Sequence, residues 1–89
     1  MAWRVEFLPA AERELRKIAR PVRERLLLFL RNRVQGGADP RSLGEPLRGP
    51  ELGRYWKYRV GDYRIICSIR DERLVVVIVR IGHGREVYR

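Results

Sequence analysis

The sequence predicts an α+β domain in which a hairpin of two N-terminal helices packs on a small antiparallel sheet of about four to five strands, in the order β-α-α-β-β-β. Its 89 residues suffice for a single domain, residues 1–89, with a core of moderate size. Apolar residues recur at helical spacing between residues 9 and 35. Three β-rich runs follow residue 53, and together these observations decide the fold class.

The N-terminal half begins with a strand and continues as two helices. WRVEFL, at residues 3–8, alternates well enough for a short strand. Pro9 suits the first turn of a helix, because its missing N–H would have no partner there. Pro21 ends this helix and can begin the next, and Gly36-Gly37 ends the second helix.

The C-terminal half holds the rest of the predicted sheet. Residues 38–53 contain three prolines and three glycines, which predicts a connector. The strand signals after it are RYWKYRV, DYRIICSI and RLVVVIVRI, and the last is apolar on both faces, which favours a central position in the sheet. The closing GHGREVYR could add a short final strand.

Positive charge dominates the composition. Lys and Arg number 20 against 11 Asp and Glu, for a net charge of +9, and Lys17 and Lys57 are the only lysines. Arginine binds phosphate through two parallel N–H groups. The balance therefore favours a polyanionic partner, most often nucleic acid, or an acidic protein. Solubility is the alternative meaning of the same charge.

The stretch KYRVGDYR concentrates that charge. The Gly-Asp pair suits a two-residue turn, which makes Arg59 face Arg64 and sets Lys57 on the same side of the ribbon. Like charges directly opposite each other across strands are destabilising. Either solvent screens them, as on an ordinary sheet face, or an anion binds there.

Other kinds of site receive no support from the sequence. Cys67 is the only cysteine, so no intramolecular disulfide can form and no Cys/His metal spacing exists. We expect no cofactor and no metal. The N-terminus lacks a signal-peptide pattern, and apolar runs such as LVVVIV are far too short to span a bilayer, so we expect a cytoplasmic location.

Three segments covering nearly the whole chain carry a family resemblance. They are VEFLPAAERELRKI, GEPLRGPELGRYWKYRVGDYRIICSI and VVVIVRIGHGREVYR, and the combination of GDYR with GHxREVY is fairly specific. They resemble the opening strand and helix, the central block and the tail of the RelE/ParE superfamily of type II toxins, in its RelE-like branch. The resemblance implies an endoribonuclease that cuts mRNA in the ribosomal A site. It also implies an antitoxin partner, which wraps and blocks the toxin in a hetero-oligomer.

The resemblance assigns catalytic roles by motif. Arg64 matches the arginine of a G-x-Y-R motif that is placed on the scissile phosphate, and Lys57 matches a basic position on the preceding strand. Arg85 and Tyr88 match a basic residue and the tyrosine of the tail, and His83 falls where many relatives have histidine or lysine. His83 is the easier general base on intrinsic pKa, whereas the resemblance favours Tyr88.

Further residues of the central block are expected to bind RNA. Arg59 adds a third cation to the face that holds Lys57 and Arg64. Tyr55 lies on the same face and can stack a base, and Arg54 is assigned to RNA binding with them.

The tail departs from its relatives at Gly84. Relatives often have two adjacent basic residues between the histidine and E-V-Y, and Gly84 takes the first of these places. Arg85 is then the one tail cation, unless Arg80 or Arg89 bends in. Glycine permits positive φ, which would let the loop turn sharply and aim Arg85.

Two other functions remain open at this point. A ParE-like toxin shares the scaffold and inhibits DNA gyrase without cutting RNA, although such toxins usually lack the clustered Arg, Lys, His and Tyr. A catalytically impaired relic, weakened by Gly84, would still bind its antitoxin.

Overall fold

A computed structural model describes residues 3–50 and 52–87, and Tyr88 and Arg89 therefore lie outside it. The predicted α+β class is confirmed. In chain order the helices and strands are β1 (Arg4–Phe7), α1 (Pro9–Arg16), α2 (Arg20–Phe29), β2 (Glu45–Pro46), β3 (Trp56–Val60), β4 (Tyr63–Arg70) and β5 (Val75–His83).

The sheet has five strands in the order β1-β5-β4-β3-β2. The neighbouring pairs among β2, β3, β4 and β5 are antiparallel, but β1 runs parallel to β5, from Arg4 opposite Val75 to Phe7 opposite Ile78. The sheet is therefore mixed and not wholly antiparallel. The connection between the parallel strands β1 and β5 is long, since it contains both helices and the other three strands. β5 lies between two neighbours, as its apolar sequence predicts.

The fifth strand lies in the connector. β2 is only two residues long and pairs with β3, with Glu45 opposite Lys57. The expected strand in the tail is not formed within the described residues: β5 continues to His83, and residues 84–87 form a turn.

The two helices cover one face of the sheet and bury their apolar stripe there. α2 begins beside Pro21, and the helical path continues with π-type hydrogen bonds over Leu30–Gln35, next to the predicted Gly36-Gly37 end. Tyr58 is fully buried, packs against Phe29 with ring centres 5.4 Å apart, and donates to the Pro40 carbonyl at 2.8 Å. The central core residues are Ala11, Leu15, Leu26, Leu30, Val34, Tyr58, Ile65, Cys67, Val76, Ile78 and Ile81.

Cys67 belongs to this core. Burial raises the pKa of its thiol to about 12, so the neutral form persists far above physiological pH. Within residues 3–50 and 52–87 no helix is long and apolar enough to cross a membrane.

Candidate active site

The β3–β4 hairpin has the register that the sequence predicts. Arg59 lies opposite Arg64, and Lys57 lies opposite Ile66. Tyr58 and Ile65 on the alternate positions are fully buried beneath the helices. The face away from the helices therefore carries the three cations, because side chains alternate across a strand.

These cations surround an open groove of about 440 Å³, which we call the basic groove. Positive charge from neighbouring strands meets there on a rigid hydrogen-bonded scaffold, which suits an anion whose charge is spread over several oxygens. The residues that line it are Gly44, Glu45, Lys57, Arg59, Arg64 and Gly84.

Arg64 is held by the turn beside it. Its Nη1 donates to the carbonyls of Gly61 at 3.1 Å and Tyr63 at 3.0 Å. Among residues 3–50 and 52–87, none accepts a hydrogen bond from its Nε or Nη2. One end of the guanidinium is fixed, and the other can bind a ligand.

Gly84 packs directly on the Arg64 guanidinium. A Cβ at Gly84 would lie 3.2 Å from Arg64 Cζ and 3.3 Å from Nη2, and the Gly84 N–H donates to the Asp62 carbonyl at 2.8 Å. The glycines with positive φ in the described chain are Gly44, Gly49 and Gly61. The expectation that Gly84 needs positive φ is therefore wrong. Glycine serves there to let the tail approach Arg64 closely.

Glu45 is a groove residue that sequence reasoning missed. Its Oε2 lies 3.4 Å from Lys57 Nζ, and its side chain is 66% exposed. Gly44, at φ +72°, seats β2 against β3 so closely that a Cβ would strike the Lys57 carbonyl. The close seating fixes Glu45 beside the cations. The sequence contains little sign that Glu45 lies in a strand beside Lys57, because a two-residue strand shows no periodicity.

His83 does not share the basic groove with the three cations. It pairs with Tyr63 on β4, and the two rings meet edge to face with centres 5.7 Å apart. Tyr63 packs against the core, so His83 lies on the helix side, in a cleft that Lys17 and Glu86 also line. Its Nδ1 accepts the Arg85 N–H at 3.2 Å, which leaves Nε2 to donate in the neutral ring.

The tail folds back on the end of β5. The N–H groups of Glu86 and Val87 donate to the His83 carbonyl at 2.9 and 3.0 Å. Arg85 is exposed on this turn, next to Gly84 in the groove wall. Tyr88, with its assigned catalytic role, and Arg89, named as a cation that could bend in, lie outside the described residues.

Arg80 does not bend into the basic groove. Its Nε and Nη2 donate to Glu14 Oε2 at 3.3 and 3.0 Å, and its Nη1 donates to the Val87 carbonyl at 3.1 Å. The guanidinium thus hydrogen-bonds both helix α1 and the turn after β5.

Tyr55 and Arg54 lie beside the groove. The Arg54 guanidinium lies over the Tyr55 ring, 5.3 Å from its centre. Tyr55 is half-buried and lines an apolar hollow of about 300 Å³ with Leu47, Leu52 and Ile66. The pair can thus act only on a ligand that extends past the groove.

Known proteins match both the sequence and the fold. A family described as ParE toxin of type II toxin-antitoxin system, parDE, matches residues 5–88. Toxin RelG of Mycobacterium tuberculosis is 33% identical over 89 residues, covering 100% of this chain and 99% of that protein. The mRNA interferase toxin RelE of Escherichia coli is 33% identical over 90 residues, covering 99% and 92%.

A solved structure agrees with these sequences. A chain of the toxin–antitoxin complex RelBE2 from Mycobacterium tuberculosis superposes with a TM-score of 0.84 at 31% identity, covering 93% of this chain and 99% of that one. The chain thus belongs to the ParE family of type II toxin–antitoxin toxins and is similar to its RelE-type members.

Proposed function

We propose that the protein is a ribosome-dependent, metal-independent endoribonuclease that cleaves mRNA in the A site. The observation that carries this proposal is the basic groove, in which Lys57, Arg59 and Arg64 converge from two paired strands. The similarity to a relative named mRNA interferase toxin supports the same reaction.

The reaction needs charge more than it needs a cofactor. The ribose 2′-oxygen attacks the adjacent phosphorus, the bond to the 5′-oxygen breaks, and the products are a 2′,3′-cyclic phosphate and a 5′-hydroxyl. The free Nε and Nη2 edge of Arg64 binds the phosphoryl oxygens, and Lys57 and Arg59 stabilise the charge that grows on them. Arg85 on the adjoining turn supports the leaving 5′-oxygen, which takes its proton from the protonated general base or from water.

The proton of the 2′-hydroxyl requires an acceptor near these cations. Of the candidates, Glu45 lines the groove as a carboxylate, and His83 lies in the other cleft. We propose Glu45 as an alternative to Tyr88 in the role of general base. Lys57 at 3.4 Å holds the Glu45 carboxylate in place.

RNA beyond the scissile phosphate follows the same face of the sheet. Arg59 is exposed at the groove, and the Arg54–Tyr55 pair offers a cation and a ring beside it. Stacking on Tyr55 would hold any of the four RNA bases, because each base has a flat aromatic face.

A cognate antitoxin is the second partner that we propose. The RelBE2 relative was solved as a toxin–antitoxin complex. With a net charge of +9, this chain favours an acidic antitoxin segment that covers the basic groove and folds as it binds, in a hetero-oligomer.

Mapping mRNA 5′ ends after induction tests the nuclease. We expect new 5′-hydroxyl ends within codons, and we expect Arg64→Ala to lower cleavage on the order of 100-fold, because one transition-state cation is lost. Arg16→Ala is the matched control, since the Arg16 side chain is exposed on α1 and, among the described residues, bonds only Glu12, at 3.2 Å. Full activity of a folded Arg64→Ala protein would contradict the assignment.

The general base is tested by comparing Glu45→Gln, Tyr88→Phe and His83→Ala on ribosome-bound mRNA. If Glu45 is the base, Glu45→Gln removes the acidic limb of the pH–rate profile, whereas the other two retain it. If Glu45→Gln retains that limb and Tyr88→Phe or His83→Ala loses it, the general base is Tyr88 or His83 and not Glu45. Near-native cutting by all three would leave charge stabilisation alone as the mechanism.

Gyrase inhibition is the second candidate, and the ParE description of the matching family favours it. A supercoiling assay with purified gyrase distinguishes the two. Inhibition of gyrase without new mRNA ends would favour the ParE-like function, whereas antitoxin binding with neither activity would identify an impaired toxin.

A further inference from the structure

β5 is longer than the strand beside it, and this leaves part of its edge without a strand partner. β1 pairs with β5 only as far as Ile78, where the chain turns away into α1. Farther along the same edge, the Ile81 N–H would then lack an acceptor. Glu14 of α1 supplies one, since its Oε1 accepts that N–H at 2.9 Å.

The same carboxylate holds an arginine. Glu14 Oε2 accepts from both Nε and Nη2 of Arg80, at 3.3 and 3.0 Å. The side chains are 29% and 40% exposed, so solvent screens this pair less than the ion pairs on the outer face of α1. The rigid guanidinium plane then fixes the direction of its third nitrogen.

That third nitrogen reaches the tail. Arg80 Nη1 donates to the Val87 carbonyl at 3.1 Å, and the Val87 side chain is buried over Gly82. The turn is attached at its other end by the hydrogen bonds to the His83 carbonyl. The turn that carries Arg85 is therefore fixed at both ends, and one attachment leads back to α1.

We infer that Glu14 and Arg80 are positioning residues that set the turn carrying Arg85 against the basic groove, so that α1 controls where this turn lies. This inference rests on the proposed nuclease function for its kinetic consequence, but the attachment of the tail is independent of that function. Lysine at position 80 would keep the charge beside Glu14 and lose the second contact, to Val87.

Amide hydrogen exchange tests the attachment directly. In Arg80→Lys and in Glu14→Gln, the amides of Glu86 and Val87 should exchange at least about 10-fold faster than in the native chain. Glu12→Gln is the matched control, since Glu12 lies on the same helix and pairs only with exposed Arg16 among the described residues. Unchanged exchange at Glu86 and Val87 in both variants would overturn the inference.

Steady-state cleavage separates positioning from stability. Misplacing the tail should lower kcat by roughly 10- to 100-fold with KM unchanged, because groove binding of RNA persists while the tail loses its geometry. A merely structural role would lower the melting temperature, with native kcat per folded molecule, and would also overturn the inference. If the native chain cuts no RNA, the proposed function fails, and the exchange experiment still decides the attachment.

Discussion

Adding a side chain at Gly84 is the sharpest perturbation of the basic groove. An alanine Cβ would lie 3.2 Å from Arg64 Cζ and 3.4 Å from the Asp62 carbonyl oxygen. Carbon atoms in ordinary contact are about 3.5 Å apart or more, so the guanidinium must move by about 0.3 Å. Its bonds to Gly61 and Tyr63, at 3.1 and 3.0 Å, resist that movement.

The expected loss follows from this geometry. A misplacement of about 1 Å at a reacting centre can cost about 100-fold in rate, so a few tenths of an ångström predict a loss of roughly 3- to 10-fold for Gly84→Ala. Gly84→Arg should lose more, because a second guanidinium beside Arg64 adds like-charge repulsion to the steric displacement.

The assay is cleavage of ribosome-bound mRNA, with kcat and KM measured separately and the melting temperature as a check on folding. Gly82→Ala is the matched control, because its Cβ would meet the Val87 Cβ at 3.5 Å, an ordinary contact. A Gly84→Arg protein that cuts faster than the native chain would refute the reasoning. It would show that an added positive charge at position 84 helps cleavage more than the displacement of Arg64 harms it.

Two further predictions concern the partner and the core. Antitoxin binding should weaken as salt rises, since charge complementarity at the basic groove contributes to it, and affinity that is independent of salt in calorimetry would indicate apolar docking elsewhere. The Cys67 thiol should resist alkylation at pH 8 until urea unfolds the chain. Its pKa is raised on folding, so its stabilising contribution is complete below the unfolded value of about 8.5 and is lost as pH rises towards 12. Rapid native labelling would contradict this.

The sequence correctly predicted those parts of the site that depend only on residues close together in the chain. The cross-strand pairs of Arg59 with Arg64 and of Lys57 with Ile66 follow from period-two alternation and a two-residue turn, and the structure has that register. The parallel direction of β1 depends on a partner strand far along the chain, and neither segment encodes it alone.

The position of His83 illustrates a second limit. β5 is irregular: Cys67 pairs with Ile78 while Ile66 pairs with Arg80, so an extra residue is inserted between them. Such a bulge exchanges the faces of every residue beyond it. Simple alternation from Ile78 would set His83 on the groove side, whereas the bulged strand sets it beside Tyr63 under the helices.

The placement of charge is the physical argument for an anionic ligand in the basic groove. Arg59 and Arg64 face each other across β3 and β4, and the only carboxylate lining the groove among the described residues is that of Glu45, which pairs with Lys57. Like charges directly opposite each other across strands are destabilising. The core beneath the two strands keeps these two backbone positions opposite each other. A phosphate bound between the two arginines would relieve the repulsion without moving the scaffold, and a phosphate is the group that the proposed nuclease must bind.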